Sequence, residues 1–171
     1  GGSAGPLRNG KGTHFEGGVR VPGIFRWPGR IPADRVSSEV VSNMDLMPTF
    51  AGLAGARLPQ DRTLDGGDLW PLLSGEPGAR SPHEYFYYFN GGGRSARANV
   101  RAVRQGRWKL HVVRPAGRDR LDAVALYDLH EDVGEKFDRS RLFPAVVERL
   151  LRQVQAFTNE LDANRRPLGA S

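Results

Sequence analysis

The spacing of apolar positions divides the chain into an aperiodic stretch, two short helical patterns and a longer region that alternates like a sheet. Residues 1–22 are rich in glycine and carry almost no apolar periodicity, which predicts a long ordered loop rather than a helix. Val21 to Trp27 is a short apolar run with Pro22 at its start and Pro28 just after it, and is expected to be a buried strand. Further on, Leu46, Met47, Phe50, Leu53 and Ala54 share one face of a helix over 46–54, which therefore packs on something apolar. Asp45 suits its N-cap, Pro48 falls in its first turn, and Gly55 can supply a left-handed C-cap. A second short helix is expected over 69–74, stopped by Gly75.

The pattern changes around residues 76–82, where a boundary divides the chain into segments 1–80 and 81–171. Beyond it, Glu84 to Phe89 reads as an aromatic strand, Val100 to Arg104 and Arg107 to Val113 as a hairpin about Gln105-Gly106, and Val124 to Leu129 as a fourth strand. A last helix is expected over 144–162, with Val147, Leu150, Leu151, Val154, Phe157 and Leu161 as its apolar stripe. Four strands and one amphipathic helix make a small two-layer α+β unit. The run Tyr85, Phe86, Tyr87, Tyr88, Phe89 has the composition of a stacking platform for single-stranded nucleic acid. Core and cross-strand packing is the reading adopted, and Arg107-Trp108-Lys109 is placed at a sheet edge.

At 39% hydrophobic and 26% charged residues, a chain of 171 can bury a core. No apolar run approaches the roughly 20 residues that span a bilayer. With no cysteine, disulfides and thiolate metal sites are excluded. The formal net charge of +6 is carried almost wholly by arginine, since Lys11, Lys109 and Lys136 are the only lysines. The arginines are scattered among acids, which argues for a solvated surface over a nucleic-acid patch.

The candidate chemistry lies in Gly5-Pro6-Leu7-Arg8-Asn9-Gly10-Lys11-Gly12-Thr13. It nearly matches a phosphate-binding loop at Gly5, Gly10 and Lys11, but Gly12 stands where Ser or Thr must hold magnesium, and no apolar strand precedes it. Glu16-Gly17-Gly18 runs on toward Val21-Pro22, so the helix whose dipole such a loop needs is not expected. A lysine flanked by glycines is, however, suited to a tetrahedral oxyanion: the backbone can approach closely and the ammonium is a compact charge.

Several ordered pieces resemble the sulfatase family. They are Gly5-Pro6-Leu7-Arg8, Gly10-Lys11-Gly12-Thr13, Glu16-Gly17-Gly18 with Arg20-Val21-Pro22, and Trp27-Pro28-Gly29. Asp45-Leu46-Met47-Pro48-Thr49, Leu64-Asp65-Gly66 with Asp68-Leu69 and Pro71-Leu72-Leu73, Gly106-Arg107-Trp108-Lys109-Leu110, and Leu126-Tyr127-Asp128-Leu129 with Asp132 and Glu135 follow in order. Arg166-Pro167 with Gly169 closes the series.

The resemblance implies an α/β fold: the end of an alkaline-phosphatase-like domain over 1–80, then a small four-stranded antiparallel sheet with a C-terminal helix over 81–171. It implies a sulfuric ester hydrolase of the arylsulfatase type, with Lys11 contacting the sulfate of a small-molecule or saccharide sulfate ester. His14, where the family has Thr, Leu or another residue, is a candidate for lining the substrate pocket, weighed against the preferred reading of an ordinary loop histidine. The resemblance also implies Ca2+ and a formylglycine nucleophile. Neither has a position here: the Cys/Ser-x-Pro-x-Arg motif is absent and Ser81-Pro82-His83 does not fit it. The expectation is a C-terminal fragment, inactive alone, that needs the N-terminal half of the same protein and neither nucleic acid nor a membrane. The family's compartments are periplasmic, secreted or cytoplasmic. The alternatives are a related phosphate or phosphonate ester hydrolase, told apart by its upstream nucleophile, and a non-catalytic polyanion-binding module, which heparin retention would reveal.

Overall fold

A computed structural model of the chain describes residues 2–89 and 99–164, so the pieces at Arg166, Pro167 and Gly169 lie outside the described residues. The chain forms two compact units, one of Gly1–Val21 with Tyr85–Ser171 and one of Pro22–Glu84.

The first unit is built on four antiparallel strands in the order β1-β2-β3-β4, with β1 at Phe86–Phe89, β2 at Val100–Gln105, β3 at Trp108–Val113 and β4 at Asp122–Asp128. Each of the four strands expected beyond residue 82 is present. Alternation sorts the side chains onto two faces. In register, Tyr87, Val103, Leu110 and Leu126 lie side by side on one face, and Tyr88, Ala102, His111 and Ala125 on the other. The Leu110 face is covered by a helix, α4, over Pro144–Ala163, which sets Leu150 and Val154, both fully buried, against Val100, Val103, Leu110, Val112, Leu121 and Leu126. Burying each such aliphatic side chain contributes about 1.5–3 kcal/mol. The aromatic strand packs as expected: the Tyr87 ring stacks on Phe157 with centroids 3.6 Å apart.

The opposite face is not open to water. The glycine-rich N-terminal stretch folds onto it and sets Phe15 against Ala125, Tyr127 and Leu129, so this unit has a third layer where two were expected. Within that stretch Glu16–Val19 closes one helical turn, α1, where no helix was expected. Lys109 is not at an edge either: β3 is an interior strand and the lysine is fully buried. The hairpin motif placed it on a strand, but only the third layer removes it from solvent.

The second unit holds α2, Leu46–Leu53, and α3, Trp70–Ser74, which stops at Gly75 in the left-handed region at φ 80°. A 3-10 turn, Asn43–Asp45, precedes α2, and Ser42 caps it in a box with Asp45. Asp45 stands at the N-cap position of α2 as expected, but its side chain makes no capping bond to that helix and is instead a buried knot. Its carboxylate accepts from Ser42 N at 2.7 Å and Gly67 N at 2.9 Å, and meets His83 Nε2 at 2.8 Å. The buried side of α2 is Pro48 and Thr49, while Met47 and Phe50 are exposed, so the apolar stripe is turned away from the unit's interior. Thr49 explains the rotation, since its hydroxyl donates to Asp45 O and accepts from Leu69 N. The expected strand over Val21 to Trp27 does not form: Val21 is 78% and Ile24 91% exposed. A strand needs a neighbour for its N–H and C=O groups, and the described residues of this unit include none. Among the described residues no helix is long and apolar enough to cross a membrane.

Leu150→Ala should lower the unfolding free energy by about 2–5 kcal/mol. Guanidinium denaturation checks this; a loss below about 0.5 kcal/mol would mean that α4 does not seal the core.

Candidate functional site

Glycine shapes the Lys11 segment through close backbone approach. Gly17 N donates to Arg8 O at 3.0 Å, and Gly18 N donates to Phe15 O at 2.8 Å. A Cβ on Gly17 would collide with the carbonyl oxygens of Arg8 and Asn9, and one on Gly18 with those of Gly10 and Thr13. The Gly17-Gly18 pair is therefore the floor over which residues 8–13 fold back. Thr13 closes the turn, its N–H and hydroxyl both donating to Gly10 O, at 3.2 and 2.9 Å. Lys11 is exposed on this turn, and His14, on the same segment, is half-buried.

Both ends of the turn are tied to the sheet unit. At one end, Arg8 Nη1 donates to Tyr127 Oη at 3.0 Å and to the Glu135 carbonyl at 2.6 Å, with its guanidinium 4.1 Å over the Phe15 ring. At the other, Glu16 N donates to Glu135 Oε2 at 2.6 Å. Phe15 fills the space between, stacked on His111 with centroids 4.6 Å apart.

Beneath lies a buried ionic cluster. Lys109 Nζ sits 2.9 Å from Glu16 Oε1 and 3.2 Å from Glu135 Oε1, and 4.7 Å over the Tyr88 ring. His111 Nε2 lies 2.8 Å from the same Glu135 oxygen. The other Glu16 oxygen faces Arg20 at 3.8 Å and Arg104 at 3.9 Å. Burial pushes the Glu135 carboxyl upward, but the hydrogen bond from His111, the Lys109 charge and the Glu16 N–H together hold it below its usual range. Burial, reinforced by the Glu16 carboxylate, pushes the Tyr88 phenol well above its usual range, so it stays neutral.

The arrangement presents one exposed ammonium on a turn whose ends are fixed by a desolvated charge network. That is a means of offering a cation to an anion at low cost in chain entropy. Residue-level reasoning had picked out Lys11 and His14 alone. Glu16, Lys109, His111 and Glu135 were missed as a group because they come from three distant stretches. The one signal was that Lys109 and His111 alternate onto the same face of a strand between apolar neighbours. Among the described residues no group of three or more His, Cys, Asp or Glu is placed to hold a metal ion. The described residues thus do not fit calcium.

Because Glu135 is held below its ordinary value of 4.5, it contributes stability that is present above that pH and lost as pH falls through the lower folded value. Thermal midpoints measured from about pH 7 down to about pH 3 should fall, and Glu135→Gln should flatten the fall. An equally steep profile in the variant would remove Glu135 as its source.

Comparison with known proteins bears on the same residues. The family model described as "N-sulphoglucosamine sulphohydrolase, C-terminal" matches residues 10–159. Human arylsulfatase A (Homo sapiens) is 39% identical over 184 residues, covering 95% of this chain and 35% of that protein. Mouse steryl-sulfatase (Mus musculus) is 43% identical over 161 residues, covering 80% and 25%. Among solved structures, the PsFucS1 sulfatase from Pseudoalteromonas sp. superposes with a TM-score of 0.76 at 26% identity, covering 96% of this chain and 34% of that one. The chain thus spans about a third or less of the length of these relatives.

Proposed function

Since the chain belongs to the sulfatase family, we propose that it is the C-terminal part of an arylsulfatase-type enzyme that hydrolyses sulfate esters, and that Lys11 is its sulfate-contacting cation. The observation that carries this reading is the placement of Lys11, exposed on a turn pinned at both ends, inside the span that matches the family model. A compact ammonium held there stabilises charge on a tetrahedral sulfate as the ester bond breaks, and a preset position spares the reaction the cost of reorganising it. His14, half-buried on the same turn, would line the pocket.

The remaining chemistry belongs to residues outside this sequence. The formylglycine nucleophile of the family arises from a Cys/Ser-x-Pro-x-Arg motif that the chain does not contain. Ca2+ would likewise be held by residues of the rest of the protein. We assign residues 1–80 to the end of the large catalytic domain and 81–171 to the small C-terminal one. The exposed apolar side chains of Ile24, Val36, Met47 and Phe50 fit this assignment, as surface that the rest of the protein would cover. The partner is then the N-terminal half of the same protein and the substrate a small-molecule or saccharide sulfate ester. A phosphate or phosphonate ester hydrolase built on the same architecture would use the same lysine with a different upstream nucleophile.

Two measurements test this. Lys11→Ala in the full-length enzyme should lower turnover of a chromogenic aryl sulfate by about 10²–10³-fold with an unchanged circular dichroism spectrum. A wild-type rate would remove Lys11 from the site. The 171-residue chain alone should show no turnover of the same substrate, and activity in it would overturn the fragment reading.

A further inference from the structure

We propose that Glu135 is a positioning residue for Lys11: it clamps both ends of the lysine turn to the sheet, while the buried Lys109 holds its carboxylate in place. The inference rests on the sulfate-binding reading of Lys11. Glu135 hydrogen-bonds both ends. Its carbonyl takes Arg8 at 2.6 Å, before the lysine, and its carboxylate takes the Glu16 N–H at 2.6 Å, after it. Its backbone sits at φ 49°, in the left-handed region that a glutamate adopts only when its surroundings impose it. Those surroundings are what the clamp requires: the left-handed turn lets carbonyl and carboxylate of one residue serve the same loop.

The carboxylate could not do this if it were free to rotate. Its Oε1 is fixed by Lys109 Nζ at 3.2 Å and His111 Nε2 at 2.8 Å, and Lys109 in turn holds Glu16 at 2.9 Å. Lys109 and His111 are two positions apart on an interior strand, so the clamp is referenced to a strand paired along both edges. Misplacing a catalytic group by about 1 Å is enough to cost about 10²-fold in rate. A lysine exposed on a loop takes its position from such a clamp.

The test is a double-mutant cycle in the full-length enzyme, read with a chromogenic aryl sulfate and with inorganic sulfate as inhibitor. Glu135→Gln should reduce kcat/KM by about 10²-fold and weaken inhibition by sulfate, with folding checked by circular dichroism. In the Lys11→Ala background the same substitution should change kcat/KM less than about twofold, because the group it positions is gone. Arg8→Met releases the other end and leaves every buried charge in place, so it serves if Glu135→Gln does not fold; a loss of about tenfold, again absent without Lys11, is expected. Losses that multiply in the double variant would make the clamp a stability feature and overturn the inference. A Lys11→Ala enzyme with wild-type turnover would instead sink the sulfate-binding reading beneath it.

Discussion

The ammonium of Lys109, buried between the carboxylates of Glu16 and Glu135, is the contact on which the rest of the first unit depends. Removing three charges from water is costly, and their attraction offsets that cost only when geometry and hydrogen bonding are good. Both carboxylates meet the condition. Glu16 has guanidiniums of Arg20 and Arg104 just under 4 Å from its outer oxygen. Glu135 takes a backbone N–H and the His111 ring as well as the ammonium. Such a cluster adds little net stability over an apolar core of the same volume, but it is intolerant of misalignment. The three segments therefore meet in one register.

The consequence is a sheet with two unlike faces. On one, β3 sends Leu110 and Val112 into an aliphatic core under α4, which tolerates conservative repacking. On the other, the same strand sends Lys109 and His111 into a charged layer covered by the Phe15 ring, the Glu16 carboxylate and the loop backbone. A lid of backbone must lie close to be useful, which is why Gly17 and Gly18 occur where side chains would strike the carbonyls of residues 8, 9, 10 and 13. The turn that carries Lys11 is thus set by an ionic layer below and a glycine floor beside it.

The sheet was legible because its signals are local. Alternation, the Gly106 hairpin and a helical stripe ending in Leu161 each declare themselves within a short stretch of chain, and strand and helix bounds agree to within about two positions. Three readings failed where the deciding partner lies far off. Val21 to Trp27 has strand composition, yet the described residues offer it no strand to pair with. Asp45 holds the N-cap position of α2, but its carboxylate does not cap it, because Gly67 and His83 engage it from beyond residue 65. Lys109 looks like a surface lysine until Glu16 and Glu135, ninety-three residues before it and twenty-six after, arrive to neutralise it. Of the site, motif resemblance named Lys11 and His14; what holds them was not visible, because an ionic cluster spread over three stretches has no spacing rule.

The hydrogen bond from Glu16 to Glu135 spans 119 positions, so the lysine turn answers to the end of the sheet rather than to the segment that follows it in sequence. Pro22–Glu84 forms its own compact unit, knotted at Asp45, and the chain leaves the sheet unit only after Val21. The turn is mounted instead on a four-stranded sheet sealed by a 20-residue helix. The four-stranded sheet is then the frame in which Lys11 is placed, and β3, through Lys109 and His111, sets how well that placement holds.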